Sequence, residues 1–526
     1  MLDNLDKALR HEGHLSRRLF LAYAASLSSI PLLAQTAGSP RKISFPSNPF
    51  TVGVASGDPD HESVILWTKL APAPLELSGG MPHVPVEVLW EMSDDDSFKI
   101  PVASGTAVAA PALGHSVHVE AKGLKPDHWY FFRFRSGDAT SPIGRTRTMP
   151  LPDASPERLR FGVTSCQRWE DGYFTAYQQM AADEPDLVFH LGDYIYEYAT
   201  KYGLVRQTQG PELQTLDHYR NRYSQYRTDP DLQAMHAACP WFVTWDDHEF
   251  DNNCANDISE QKHVKPADFL IRRANAYQAY YEMMPLRPTS LPQGPQMQLY
   301  RKGSFGQLAE LYVLDTRQYR TDQPNNDRKS PLNEAAFNPR NTLLGQGQRD
   351  WLFDSMKTSP GTWNILAQQV MMALVDRDPQ PEAEHYSMDQ WPGYAAERQK
   401  LMEFIRDHKI SNPVILTGDI HSHWANELRI DDRQTDTPTY ATEFVTTSLS
   451  SGGNGPKVFK LLDAVYSNNA CTKYYSAERG YVLCEATPKS FTADYKAIEE
   501  VEKPGGTTVS RAKFTVEAGQ AKIHPS

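Results

Sequence analysis

Six apolar runs in this chain each end in side chains that bind metals or orient polar ligands. They are Arg158-Leu-Arg-Phe-Gly-Val-Thr-Ser-Cys166, Leu187-Val-Phe-His-Leu-Gly-Asp193-Tyr-Ile-Tyr196 and Trp241-Phe-Val-Thr-Trp-Asp246-Asp247-His248-Glu249. Further along are Leu311-Tyr-Val-Leu-Asp315-Thr-Arg317, Trp363-Asn-Ile-Leu-Ala-Gln368-Gln369 and Pro413-Val-Ile-Leu-Thr-Gly-Asp419-Ile-His421-Ser-His423. A short apolar run bounded by turn signals reads as a buried strand. Open α/β sheets bind ligands beyond the carboxyl ends of their strands. A chain that places Cys, Asp, Tyr, Asn and His there repeatedly is expected to fold as a layered α/β domain with a metal site along one edge.

The segments between the runs agree with that class. Helical patterns cover Asp217–Tyr226, Ala267–Met284, Gln346–Met356 and Ala395–Asp407, and strands alternating with helices predict an α/β layered domain over 157–485. Residues 45–150 read as β throughout, with candidate strands Val64–Thr68, Val84–Trp90, Ser116–Glu120, Trp129–Phe134 and Gly144–Thr148 separated by Gly, Pro and Asp turns. That spacing suits a fibronectin-III/Ig-like sandwich, and Leu124 to Tyr130 resembles its tyrosine corner. Met149 to Pro156 reads as a linker, 318–345 as a long Asn- and Pro-rich loop of the kind that serves as a lid, and 486–526 as a β-like extension.

The first 37 residues read as a signal rather than fold. Ser16-Arg17-Arg18-Leu19-Phe20-Leu21 before a mildly apolar stretch is the pattern of twin-arginine export. The expected location is therefore periplasmic or extracellular, with the twin-arginine machinery as a partner. That route carries folded proteins, often with a cofactor already loaded. Five cysteines (166, 239, 254, 471, 484) leave at least one unpaired. Cys239 with Cys254 and Cys471 with Cys484 are close enough in sequence to bridge. The formal charge of −12 argues against a nucleic-acid-binding face, and no apolar stretch is long enough to span a membrane.

Three motifs carry the chemistry. Gly192-Asp193-x-x-Tyr196 puts a hard carboxylate after a sharp turn, where it can bridge two metal ions, and Tyr196 can bind ferric iron as phenolate. In Trp245 to Asn253, Asp247 is a metal ligand, Asn252 offers a carbonyl oxygen suited to Ca²⁺, and His248 is placed to protonate a leaving group or to orient a ligand. In an extended strand Asp419, His421 and His423 would share one side, a donor set suited to Fe, Zn or Mn. No Gly-x-Ser-x-Gly elbow, P-loop or Gly-x-Gly-x-x-Gly fingerprint occurs.

Taken in order, these motifs resemble the PhoD-type alkaline phosphatases, relatives of the calcineurin-like metallophosphoesterases. The match includes Thr164-Ser-Cys166-Gln, Leu191-Gly-Asp193-Tyr-Ile-Tyr196-Glu, Tyr219 to Arg227, Trp245 to Asn253, Leu314-Asp-Thr-Arg317, Trp391-Pro-Gly-Tyr-Ala-Ala-Glu-Arg398 and Gly418-Asp-Ile-His421. The resemblance implies an exported phosphomonoesterase with one Fe³⁺ and one or two Ca²⁺, acting on a phosphate ester. Its ligands would be Cys166, Asp193, Tyr196, Asp247, Asn252, Asp419 and His421, with His248 and Arg398 catalytic, Arg398 as the planar fork that holds phosphate. Pro392 departs from the family, which often carries Asp before Gly-Tyr. The alternatives are a phosphodiesterase or phospholipase D-like hydrolase on the same core and, more distantly, a binding protein without catalysis.

Overall fold

The computed structural model describes residues 41, 43–378, 380, 384–456 and 462–526; the export segment lies outside them. The N-terminal part contributes β1 (Val54–Gly57), β2 (Ser63–Lys69), β3 (Val86–Ser93), β4 (Pro101–Ala109), β5 (Ser116–Lys122), β6 (Trp129–Ser136), β7 (Ala139–Thr140) and β8 (Gly144–Arg147). Then come β9 (Leu159–Thr164), α1 (Ala176–Ala182), β10 (Leu187–His190), α2 (Leu216–Arg227), α3 (Pro230–Ala238), β11 (Trp241–Val243) and α4 (Pro266–Met283). The second half holds β12 (Arg301–Phe305), β13 (Ala309–Val313), α5 (Gly345–Lys357), β14 (Trp363–Ala367), α6 (Ala395–Asp407), β15 (Pro413–Thr417), β16 (His423–Leu428) and β17 (Ala441–Val445). It closes with α7 (Leu462–Asn468), β18 (Thr472–Ser476), β19 (Gly480–Ala486), β20 (Ser490–Ile498), β21 (Thr508–Glu517) and β22 (Ile523–Pro525).

Two mixed sheets face one another. One runs β22-β21-β20-β19-β9-β10-β11-β1-β2-β5 and the other β12-β13-β14-β15-β17-β16-β18. Between them lies a core that includes Phe161, Val163, Phe189, Leu311, Ile365, Leu416 and Phe444. Helices α1–α4 bury their apolar faces on the outside of the first sheet, with Tyr177, Tyr223, Leu232 and Tyr277 in that core. Helices α5 and α6 cover the second with Leu352, Leu401 and Ile405. The layers are helix, sheet, sheet, helix, and each interface buries apolar side chains that water would penalise. Local chemistry sets the helix starts: Asp229 caps α3 by accepting from Asp231 and Leu232 N–H, and Pro266 opens α4 at the position where its missing N–H costs nothing.

The N-terminal β region is less separate than its sequence suggests. Strands β3, β4 and β6–β8 form a five-stranded sheet that packs on β1, β2 and β5 across Val64, Leu66, Val88, Val119, Phe132 and Phe134. Yet β1, β2 and β5 belong to the large first sheet, joined through the parallel pairing of Gly57 with Trp241. The chain end likewise extends that sheet, since β19 pairs antiparallel with β9 and β20–β22 follow as a meander. Among the described residues, no helix is long and apolar enough to cross a membrane.

All five cysteines are buried and free, which corrects the two suggested bridges. Cys471 lies in the core under α5 and α6, whereas Cys484 lies between the sheets. Cys239 precedes β11 and Cys254 follows the loop at its far end.

A candidate metal centre at the strand ends

Parallel strands β9–β10–β11 and β13–β14–β15 present their carboxyl ends on the same side, so loops from both sheets converge. Two glycines make the approach possible. A Cβ on Gly192 would lie 2.4 Å from the Asp246 backbone N, and one on Gly418 2.8 Å from Ser165 Oγ. Just past the strands the backbone turns left-handed at Cys166 (φ 55°), Asp193 (57°), Asp419 (64°) and His421 (55°). Non-glycine residues rarely hold this conformation, and it concentrates at functional sites.

These turns bring most of the expected ligands together. Ligand atoms of Cys166, Asp193 and His421 lie within 4.8 Å of one another, as do those of Asp193, Asp247 and His248, and those of Asp246, Asp247 and Asp419. Asp193 belongs to the first two groups and Asp247 to the last two, so the three form one continuous cluster. Tyr196 Oη lies 2.9 Å from Asp193 Oδ2 and 3.2 Å from His421 Nε2. The Ser451 hydroxyl sits 2.8 Å from both Tyr196 Oη and the Cys166 carbonyl. His248 meets Glu197 at 2.8 Å through Nδ1.

The electrostatics are those of a site short of positive charge. Burial, reinforced by neighbouring carboxylates, raises the pKa of Asp193 well above the carboxylate range. Burial also raises Asp246 and Asp419, against the opposing pull of Arg317. At Asp247 burial is outweighed by Arg317 and His248, and the pKa is lowered. Burial and then Asp193 push the Cys166 thiol and the Tyr196 phenol well up. His421 is lowered to about 3 by burial and Arg479, which keeps the imidazole neutral as a ligand must be. His248 goes the other way: burial opposes its charge, but Glu197, Asp193 and Asp247 outweigh it. Asp193 Oδ1 and Asp246 Oδ2 are buried without a hydrogen-bond partner. Unpaired buried carboxylate oxygens are costly, and a bound cation would satisfy them and invert the local pKa logic. The residues fit a metal.

Three expectations are corrected or refined. Arg398 is 1% exposed, and its guanidinium is engaged elsewhere: Nε donates to Met372 O (2.7 Å), Nη1 to Arg429 O and Ile430 O, and Nη2 to Asp432 (2.5 Å). Four of its five N–H donors are spent on this loop and on Met372 O, and it joins none of the ligand groups. His423 does not join Asp419 and His421, because the left-handed turns at those two residues break strand alternation. It accepts from Thr447 N–H and packs on Tyr495. Asn252 lies on the same turn as Asp247, its N–H on Glu197 (3.0 Å) and its amide bonded to Glu260.

Other members of the site drew no role from sequence. Arg317 is fully buried and contacts Asp246, Asp389 (2.9 Å), Asp419 (3.2 Å) and Asp247 (3.6 Å). Asp389, three residues before Pro392, is also bound by Arg320 (2.7 Å). Arg479 donates to His421 O (2.7 Å), and Arg168 lies with its guanidinium carbon 5.6 Å from the ring centres of both Tyr196 and Tyr198. The strand-end position of Arg317 was the available signal; the others require the fold.

A cluster of buried thiol, phenol and carboxylates, open to solvent at the His421 imidazole, at the carboxyl ends of two sheets defines a candidate metal-dependent hydrolase. Comparison with known proteins gives the family. A family model described as PhoD-like phosphatase matches residues 161–495, and one described as PhoD-like phosphatase, N-terminal domain, matches 35–150. The chain is 47% identical over 518 residues to alkaline phosphatase D of Bacillus subtilis (strain 168), covering 96% of this chain and 88% of that one. A solved structure described as that of PhoD is similar with a TM-score of 0.89 at 48% identity, covering 92% of this chain and 93% of that one. The chain belongs to the PhoD-like phosphatase family, and with that membership goes phosphatase activity of the alkaline phosphatase D type.

Proposed function

We propose that the chain is an exported alkaline phosphatase, built on a calcineurin-like frame behind a fibronectin-III-like domain, that hydrolyses phosphate monoesters with the strand-end cluster as its metal centre. The observation that carries this reading is Asp193, shared between two groups of ligand atoms and left with an unpartnered buried oxygen. Cys166, Tyr196 and His421 around it offer thiolate, phenolate and imidazole, donors suited to ferric iron. Asp247, Asn252 and Asp419 offer hard oxygens suited to Ca²⁺. When bound, such ions supply Lewis acidity toward phosphate and lower the pKa of water.

The remaining steps belong to the chain's own groups. His248, held through Nδ1 by Glu197, donates its proton to the departing alkoxide oxygen. Arg168 takes the phosphate-holding role in place of Arg398, whose guanidinium is bound to the 429–432 loop: the Arg168 Nη2 is buried without a hydrogen-bond partner, beside Tyr196 at the edge of the cluster. The twin-arginine segment supports export, because an iron-thiolate centre is best loaded before secretion. The test is Asp193→Ala, with metal content and rates on p-nitrophenyl phosphate and its bis-ester measured together. Normal metal content with full monoester activity would refute the assignment. A preference of the wild-type chain for the bis-ester would replace monoesterase with diesterase.

A further inference from the structure

Glu249 is 1% exposed and follows two of the acidic residues of the cluster, yet none of the three ligand groups includes it. Its carboxylate is turned to the backbone. Oε2 accepts from Asp193 N–H (3.1 Å) and Asp246 N–H (2.8 Å), and Oε1 accepts from Tyr194 N–H (2.5 Å). These donors come from two loops, one following β10 and the other following β11. Each loop carries ligands, Asp193 and Tyr196 on one and Asp247 on the other. The loops press together closely enough that a Cβ on Gly192 would clash with Asp246. Their carboxylates, meanwhile, repel one another.

We infer that Glu249 is a positioning residue that clamps the β10 and β11 loops at the spacing the metal centre needs, by gathering three backbone N–H groups onto one carboxylate. The inference rests on the metal reading above. Buried backbone donors must find acceptors, and a carboxylate offers two acceptor oxygens with several lone pairs. Here a single carboxylate satisfies three donors, one of them the N–H of Asp193 at its left-handed turn. Glutamine has one acceptor oxygen and one amide that donates, so Glu249→Gln leaves at least one of the three N–H groups facing a donor. Partners of this kind around ligands are worth about 10–100-fold in metal affinity.

A matched control exists. Glu397 is equally buried (2% exposed) and also collects backbone N–H groups, from Leu343 and Leu344, between α5 and α6 and outside the cluster. Both variants, Glu249→Gln and Glu397→Gln, exchange a backbone-binding carboxylate for an amide, and Glu397→Gln also weakens contacts to the Thr342 hydroxyl and Arg349. Ca²⁺ is titrated calorimetrically into chelator-stripped protein, and iron is quantified in the protein as purified. The expected result is at least a tenfold weaker Ca²⁺ affinity and reduced iron in Glu249→Gln, with both near wild type in Glu397→Gln. Affinities within twofold of wild type in Glu249→Gln, or an equal loss in Glu397→Gln, would overturn the clamp. A wild-type chain that takes up neither ion would overturn the metal reading itself. If Glu249→Gln does not fold, Glu249→Asp carries the same comparison, with both oxygens retained on a shorter stem.

Discussion

Arg317 and Arg398 are both fully buried and both face carboxylates, yet they anchor regions of opposite character. Around Arg398 the pair it makes with Asp432 is closed. Its donors go to three carbonyls and Asp432, and Asp432 in turn accepts from Leu374 and Arg429 N–H. Around Arg317 four carboxylates share one guanidinium, Asp193 lies beyond it, and two carboxylate oxygens stay unpartnered. A closed ion cluster holds a fold. An open one with surplus negative charge is stable only with a cation or with protonated acids. The difference separates brace from site more sharply than burial or residue type does.

The largest effect should come from emptying the open cluster. Asp193→Ala removes a residue common to two ligand groups, so it should lower kcat/KM by well over about 100-fold, since even partners outside the ligand shell are worth that much. Metal content should fall with it. Cys166→Ala probes the same cluster from one side: iron should drop, and with it any visible tyrosinate absorption, while calcium is retained. Equal loss of both ions would mean that Cys166 supports the whole cluster.

The closed cluster should respond in stability rather than in rate. Arg398→Met leaves Asp432 buried without its cationic partner, a change that costs roughly 3–5 kcal/mol of stability. The folded fraction should keep its metal and its turnover number. A loss of kcat without loss of stability would return Arg398 to the active site and break the comparison.

What could be read from the sequence follows the same division. Strand ends announce themselves, because an apolar run that stops abruptly at Asp, Cys or His delivers a polar group to the edge of a sheet. Cys166, Asp193, Asp247 and His421 follow from that pattern alone. The long helices α2, α4, α5 and α6 are visible in their periodicity, whereas the short α1 and α3 are not. Arg398 sits in a motif run, but which way a helix points its face is decided by packing, and α6 points Arg398 at the 429–432 loop. The alternation argument fails at His423 because left-handed turns at Asp419 and His421 precede it. Glu249 stands inside the Trp245 to Asn253 motif, yet its role depends on backbone groups some 55 residues away. The pairing of β1 with β11 likewise joins segments that no local signal connects.

Arg168 tests the rim of the open cluster. Its guanidinium is engaged at 3.5–3.6 Å by Glu170 and Asp171 and otherwise faces aromatic rings. Arg168→Ala should therefore spare metal content while lowering kcat/KM roughly 10–100-fold, the value of one hydrogen bond to a charged group. Arg168→Lys should restore part of the loss, because it returns the charge without the fork. Unchanged kinetics in Arg168→Ala would leave the phosphate without an assigned arginine.

The smallest effect concerns a closed region built round a neutral ring. His118 on β5 has Nε2 at 2.9 Å from Tyr281 O and 3.0 Å from Met284 O, and its ring stacks on Tyr281 at 4.5 Å. Burial lowers its pKa to about 4, against weaker opposing effects from those carbonyls and from Glu282. An unfolded histidine titrates near 6.5. Below that pH the unfolded chain takes up a proton that the folded chain refuses. The stability contributed by neutral His118 is thus present above pH 6.5 and is lost as the pH falls toward 4, at no more than about 1.4 kcal/mol per pH unit for one proton. Glu282 is itself held by Arg220 at 2.6 Å, so it is not free to stabilise an imidazolium. Denaturant midpoints measured from pH 7 to 4.5 should fall less steeply in His118→Gln than in the wild type. Parallel curves would mean that the ring accepts its proton within the fold, and that the junction between β5 and α4 is open to charge in the way the Arg398 cluster is not.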